Sequence, residues 1–116
     1  MTSSDLLDRG FAALSDPTRR DILARTMERE YAVSELAAHY PVTFAAIQRH
    51  VAVLEAAGLV SKRAVHRHRY VRATPNALDD LGIALMALRD QWVDRVTRMH
   101  EVIDQTRQPE QTDGDR

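Results

Sequence analysis

The chain contains no cysteine, which excludes disulfides, thiolate metal ligands and thiol redox chemistry together. No apolar run approaches the roughly 18 residues needed to cross a bilayer. The opening MTSSDLLDRG has neither the basic start nor the apolar stretch of a secretory signal. The expected setting is therefore the cytoplasm, without a membrane partner. Catalytic signatures are missing too: there is no glycine-rich phosphate loop and no Ser-His-Asp spacing that a coarse fold would bring together. Ser34 and Ser61 read as a helix cap and a strand residue. No enzyme activity and no cofactor are expected.

What is present is one domain's worth of chain, 116 residues with 44% hydrophobic side chains. The formal net charge is only −1, but the charges are not evenly mixed. Between Thr43 and Ala73 stand Arg49, Lys62, Arg63, Arg67, Arg69 and Arg72 against Glu55 alone. That contiguous stretch is a cation within a chain that is otherwise acidic, the pattern of a polyanion-binding face.

Hydrophobic spacing predicts five helices. Leu6, Leu7, Phe11 and Leu14 mark the first, with Gly10 a weak point in it. The second opens at Asp16 and Pro17, a capping carboxylate followed by the residue best suited to the first helical turn, and buries Ile22, Leu23 and Met27. A short third helix, ELAAHY, starts at Ser34 and is stopped by Pro41. The fourth begins at Thr43 and ends at Gly58. LVSKRAV and HRHRYVRA then read as two short strands with a turn near Val65 and His66. Thr74 and Pro75 open a long fifth helix with Leu78, Leu81, Leu85, Leu88, Trp92, Val96, Met99 and Ile103 on one stripe. The fold class is mainly α with a small β-hairpin, a winged helix-turn-helix of five helices and a two-stranded wing. Residues 1–107 are expected to form the domain, and 108–116 a disordered polar tail.

The fourth helix buries Ile47, Val51 and Leu54 on one side and is bare of acids on the other before Glu55. Its first turns carry Thr43, Phe44 and Ala45. Gln48 has the geometry for adenine and Arg49 for guanine, while Ala45 and Ala52 allow close approach in a major groove. Phe44 either packs back on HYPV or meets sugar or a thymine methyl. His50 is either a half-buried residue bonding the turn or a phosphate contact. Lys62, Arg63, Arg67 and Arg69 on the hairpin would meet phosphates or enter a minor groove. The His66 and His68 pair reads as solvent-facing or close to phosphate.

Phe11 to Leu23, with ALSDPTRRDIL, and Thr43 to Arg72, with RHVAVLEAAGLV and the basic hairpin, resemble the ArsR/SmtB family of winged helix-turn-helix transcriptional regulators. The resemblance covers about residues 5–105. It implies a homodimer that binds double-stranded DNA at a palindromic operator, acting as a repressor, with an interface built from Leu7, Phe11, Leu85, Leu88, Trp92, Val96 and Met99. It also implies metal sites that this chain matches poorly. Ala32, Val33 and Ser34 stand where the family has a Cys-Val-Cys run, and the last helix offers one histidine, His100, beside Asp94, Glu101 and Asp104. No metal is expected, weak binding by that last set and an unidentified small-molecule effector staying open. The competing reading is a winged-helix protein-interaction module without sequence-specific DNA binding.

Overall fold

The computed structural model describes the backbone of residues 3–114 and the side chains of residues 4–106. The elements run α1 (Ser3–Leu14), α2 (Pro17–Glu28), β1 (Tyr31–Ala32), α3 (Val33–Ala37), α4 (Phe44–Ala56), β2 (Val60–Val65), β3 (His68–Ala73) and α5 (Pro75–Gly114). Two compact units result, Met1–Gly82 and Ile83–Arg116.

Each junction in the first unit has a local cause. The Asp16 carboxylate accepts from the Arg19 backbone N–H at 3.1 Å and Pro17 begins α2, as the cap-then-proline pair predicts. Two side chains of α2 turn back to close α1. Arg19 donates from Nε to the Ala13 carbonyl and from Nη2 to that of Ala12, while Arg20 Nη1 donates to that of Leu14. A helix end leaves such carbonyls without an N–H donor four residues on; that of Ala12 also accepts from the Ser15 N–H and hydroxyl. The Thr43 hydroxyl accepts from Ala46 N–H at 3.1 Å to cap α4. Gly58 ends that helix at φ 75°, a left-handed conformation that costs a side-chain-bearing residue energy; Leu59 N–H then returns to the Leu54 carbonyl.

One core fills this unit. Ile22, Leu36, Ile47, Val51, Leu54, Leu59 and Val71 are its fully buried side chains, and Leu81 of α5 closes it beside Gly10 of α1. The sheet is antiparallel in the order β1-β3-β2. Val60 pairs with Ala73, Lys62 with Val71 and Ala64 with Arg69, so these six share one face, whose Val60, Val71 and Ala73 are buried. The hairpin closes through His66 and Arg67, with His66 at φ 56°, where histidine is tolerated better than β-branched residues.

Four expectations are amended. The sheet has a third strand, Tyr31–Ala32, because the segment leaving α2 pairs with Val71 and Tyr70 before α3 begins. The inward position in the last turn of α2 belongs to Thr26, not Met27. Its hydroxyl donates to the Ile22 and Leu23 carbonyls, so it is buried without an unpaired polar atom, while Met27 stays 41% exposed. Ser34 does not cap α3. The helix starts two residues earlier, at Val33 after Ala32, the Glu35 carboxylate accepts from Ala32 N–H at 2.9 Å, and the helix ends at Ala37, short of Tyr40. Lastly, the backbone of α5 runs on to Gly114, through most of the segment read as a tail from residue 108, while residues 115 and 116 lie outside the described residues.

In the second unit, α5 carries Leu85, Leu88, Trp92 and Met99 largely exposed and Val96 half-buried. Among the described residues no helix is long and apolar enough to cross a membrane.

The contact between α1 and α5 gives the first prediction. A Cβ at Gly10 would lie 2.6 Å from the buried Leu81 Cδ2. Alanine ordinarily gains about 0.5–1 kcal/mol over glycine inside a helix, but overpacking a filled core costs about 1–3 kcal/mol. Gly10→Ala is expected to lower thermal stability by about 1 kcal/mol net. Adding Leu81→Val should recover part of that loss, giving a non-additive cycle. A melting curve in which Gly10→Ala alone is stabilised would contradict this packing.

Candidate nucleic-acid interface

The apolar stripe of α4 fixes what its other side can do. With Ile47, Val51 and Leu54 buried, Phe44, Ala45, Gln48, Arg49 and Ala52 face outward. An open cleft of about 450 Å³ lies between the start of α4 and the sheet face that carries Lys62 and Arg69. Ala32, Val33, Ser34, Phe44, Gln48, Val51, Lys62, Arg67, His68 and Arg69 line it. No carboxylate is among them. A hydrogen-bonding helix face beside a cationic ribbon is matched chemically to a polyanion with readable edges.

The candidate residues separate into two groups. Lys62 Nζ lies 3.3 Å from Glu55 Oε1. Arg63 grips Glu30 with both ends of its fork, Nε to Oε2 at 2.9 Å and Nη2 to Oε1 at 2.6 Å, and its guanidinium lies over the Tyr70 ring. That pairing holds the Glu30 carboxyl below its usual range. It also ties β2 to the segment between α2 and β1. Arg49, Arg67 and Arg69, in contrast, have no ion-pair partner among the described residues. Sequence reasoning put all five cations in one set because it could not see Glu30 and Glu55 reach across the fold.

At the tip of α4 the Thr43 hydroxyl is engaged by the helix N–H it caps. Phe44 is 48% exposed and lines the cleft. His50 is half-buried, and its Nδ1 lies 3.2 Å from Arg19 Nη1.

A second cluster braces the turn after α3, and Glu35 within α3, against α2 and its C-cap. The Tyr40 hydroxyl donates to Asp21 at 2.6 Å and Arg25 Nε donates to the same oxygen at 2.9 Å. Burial, followed by the bond to Asp21, pushes the Tyr40 phenol up to about 12, and the bonds from Tyr40 and Arg25 hold the Asp21 carboxyl down. Arg29 lies 3.6 Å over the Tyr31 ring and donates to Glu35 at 3.1 Å. The Glu35 carboxyl is lowered first by the Ala32 N–H and then by Arg29.

The metal chemistry implied by the family resemblance does not fit this chain. Ala32 and Val33 are buried without a donor side chain, and Ser34 lies exposed on the cleft. Among the described residues no three His, Asp or Glu side chains gather within reach of one ion, and that includes Asp94, His100, Glu101 and Asp104.

Comparison with known proteins agrees on one fold. Residues 16–62 match the family described as bacterial regulatory protein, arsR family. The chain is 35% identical over 97 residues to the HTH-type transcriptional regulator Rv2034 of Mycobacterium tuberculosis, covering 84% of this chain and 88% of that one. An ArsR-like transcriptional regulator from Rhodococcus sp. RHA1 superposes with a TM-score of 0.76 at 32% identity, over 86% of this chain and 94% of the other. A homodimeric winged helix-turn-helix DNA-binding domain, Mb0332 from Mycobacterium bovis, shares the fold with a TM-score of 0.61 at 21% identity, over 74% of this chain and 81% of its own.

The brace at Asp21 generates a prediction with a defined pH sign. Tyr40→Phe deletes one hydrogen bond to a carboxylate that solvent partly screens, and should cost about 1 kcal/mol at pH 7. Because the folded Asp21 carboxyl titrates below its ordinary 3.8, its contribution is complete above that value and is lost as pH falls through the lower folded value. The gap in melting temperature between Tyr40→Phe and the unsubstituted protein should therefore narrow below about pH 4. A constant gap from pH 7 to pH 3 would remove Asp21 from the account.

Proposed function

The chain belongs to the arsR family of bacterial regulatory proteins, and from that premise we propose that it is a homodimeric repressor that reads a palindromic operator in successive major grooves. The observation that carries this reading is the cleft between α4 and the wing, where unpaired Arg67 and Arg69 face Gln48 and Phe44 with no carboxylate among the lining residues. Its relatives are transcriptional regulators, not enzymes.

On this reading Gln48 and Arg49 take base edges, for which their bidentate amide and guanidinium are suited, and Ala45 and Ala52 let the helix approach. Thr43 and Phe44 stand at the leading turn, Phe44 meeting sugar or a thymine methyl. Arg67 and Arg69 hold phosphates. Lys62 and Arg63 contribute field more than contact, since each would first have to leave a carboxylate.

Dimerisation rests on apolar area that a lone chain leaves in water. Trp92 is 62% exposed, and Leu85, Leu88 and Met99 on the same helix are similarly bare, with Val96 half-buried; on α1, Phe11 is exposed and Leu7 half-buried. A two-fold pair would set two reading helices about 34 Å apart, one turn of B-form DNA. The same fold is homodimeric in the Mycobacterium bovis domain. With no thiols in the sequence and no three metal-ligating side chains gathered among the described residues, an inducer would be a small molecule that binds the low-affinity dimer shape better than the DNA-bound one.

Fluorescence anisotropy with duplex from upstream of the coding region tests the DNA reading. The double change Gln48→Ala, Arg49→Ala should abolish the preference for that duplex over random duplex of equal length. Arg67→Ala should weaken both alike and reduce the log-log salt slope by about 0.9. Equal affinity of the unsubstituted protein for both duplexes would instead favour a protein-interaction module. For the interface, Trp92→Glu should convert a dimer into a monomer in sedimentation velocity at low micromolar concentration. An unsubstituted protein that sediments as a monomer there refutes the interface.

A further inference from the structure

Arg19 spends all three nitrogens of its guanidinium inside the fold. Nε and Nη2 close the end of α1 on Ala13 and Ala12, and Nη1 lies 3.2 Å from Nδ1 of His50 on α4. A guanidinium can only donate, so Nδ1 must accept, and an accepting Nδ1 carries no proton. The neutral ring then holds its hydrogen on Nε2. Nε2 has no partner among the described residues, and no buried side-chain nitrogen or oxygen there is unpaired, so this N–H reaches solvent. It does so from the reading helix, one residue after Arg49 and two after Gln48. The other charged group near the ring is the Asp16 carboxylate, itself engaged by the Arg19 backbone N–H.

We propose that Arg19 is a positioning residue that fixes the tautomer and orientation of His50, so that the His50 Nε2–H is presented as a neutral donor to a phosphodiester oxygen of the bound duplex. This rests on the DNA reading above and adds two roles to it. His50 is at once an internal acceptor and an external donor, one nitrogen for each. Arg19 never meets the nucleic acid, yet the contact depends on it. The same guanidinium also joins α1, which carries Leu7 and Phe11 of the proposed dimer interface, to the helix that reads bases, so pairing and reading share one joint.

A neutral donor has a distinct signature. Lysine or arginine on a phosphate displaces a counterion and steepens the salt dependence, whereas an uncharged N–H adds affinity without changing the slope. Three measurements test the proposal. Long-range proton–nitrogen NMR of the free protein at pH 8 should find the His50 ring in the Nε2–H form, and Arg19→Met should give a mixture of tautomers. Anisotropy should find His50→Ala about fivefold weaker on upstream and random duplex alike, with an unchanged salt slope. Arg19→Met combined with His50→Ala should cost no more than the larger single change, the mark of one shared interaction. Arg19→Lys, which keeps a donor, should recover part of the affinity.

An Nδ1–H ring in the unsubstituted protein overturns the proposal, as does His50→Ala binding within twofold of it, or fully additive losses. Should Arg19→Met fail to fold, the tautomer of the unsubstituted protein and the His50→Ala slope still decide. If the unsubstituted protein binds no duplex, the DNA reading falls and takes the phosphate contact with it, while the NMR measurement judges the Arg19–His50 joint separately.

Discussion

Everything distinctive in this fold follows from where α4 puts its apolar side. Ile47, Val51 and Leu54 belong to the core of the first unit and are essentially inaccessible to water. Burying side chains of that size is worth roughly 1.5–3 kcal/mol each, so the helix cannot rotate about its axis without losing most of what stabilises the unit. The outward direction of Gln48 and Arg49 is a by-product of that burial. On the proposed reading, the surface that meets DNA acquires its rigidity from residues that never touch it, as a binding constellation on a helix requires.

Ion pairing then sorts the cations by task. Glu30 and Glu55 come from outside the hairpin and occupy Arg63 and Lys62, anchoring β2 at two places. These pairs are exposed and individually weak. Their larger effect is on geometry: with the middle of β2 held, Arg67 at the tip of the ribbon and Arg69 on its cleft-facing side are left without an ion-pair partner among the described residues. The acids that make the net charge nearly neutral are therefore partly structural, and the low overall charge hides a concentrated field.

Most of this was legible in the primary structure. Periodicity and punctuation found five helices, with the third displaced at both ends, and the Asp16–Pro17, Thr43 and Gly58 signals fall where the chain turns, because caps and left-handed positions are decided by neighbours a few residues away. What was hidden depends on residues far apart. The two-residue β1 has too few side chains to mark a period and exists only because β3 offers it an edge. The burial of Thr26 in place of Met27 depends on its hydroxyl satisfying itself on its own helix, a local bond that makes a polar side chain cheap to bury. The partners of Arg63, Lys62 and His50 lie 33, 7 and 31 positions away, and no spacing rule reaches across the first and last of these. Among the candidate contact residues, type and neighbourhood could be read from the string, but which cations were already engaged could not.

The brevity of β1 has a mechanical corollary. It pairs with β3 only at Val71 and Tyr70, so from Arg69 onward to the tip one edge of β3 is unsupported and the hairpin continues as a bare two-strand ribbon. Two-strand ribbons twist more readily than wider sheets. The wing is held at its root by a third strand and free of one at its end, a cantilever; on the proposed reading its arginines follow a backbone that widens or narrows from one stretch of duplex to the next, while α4 keeps a single pose.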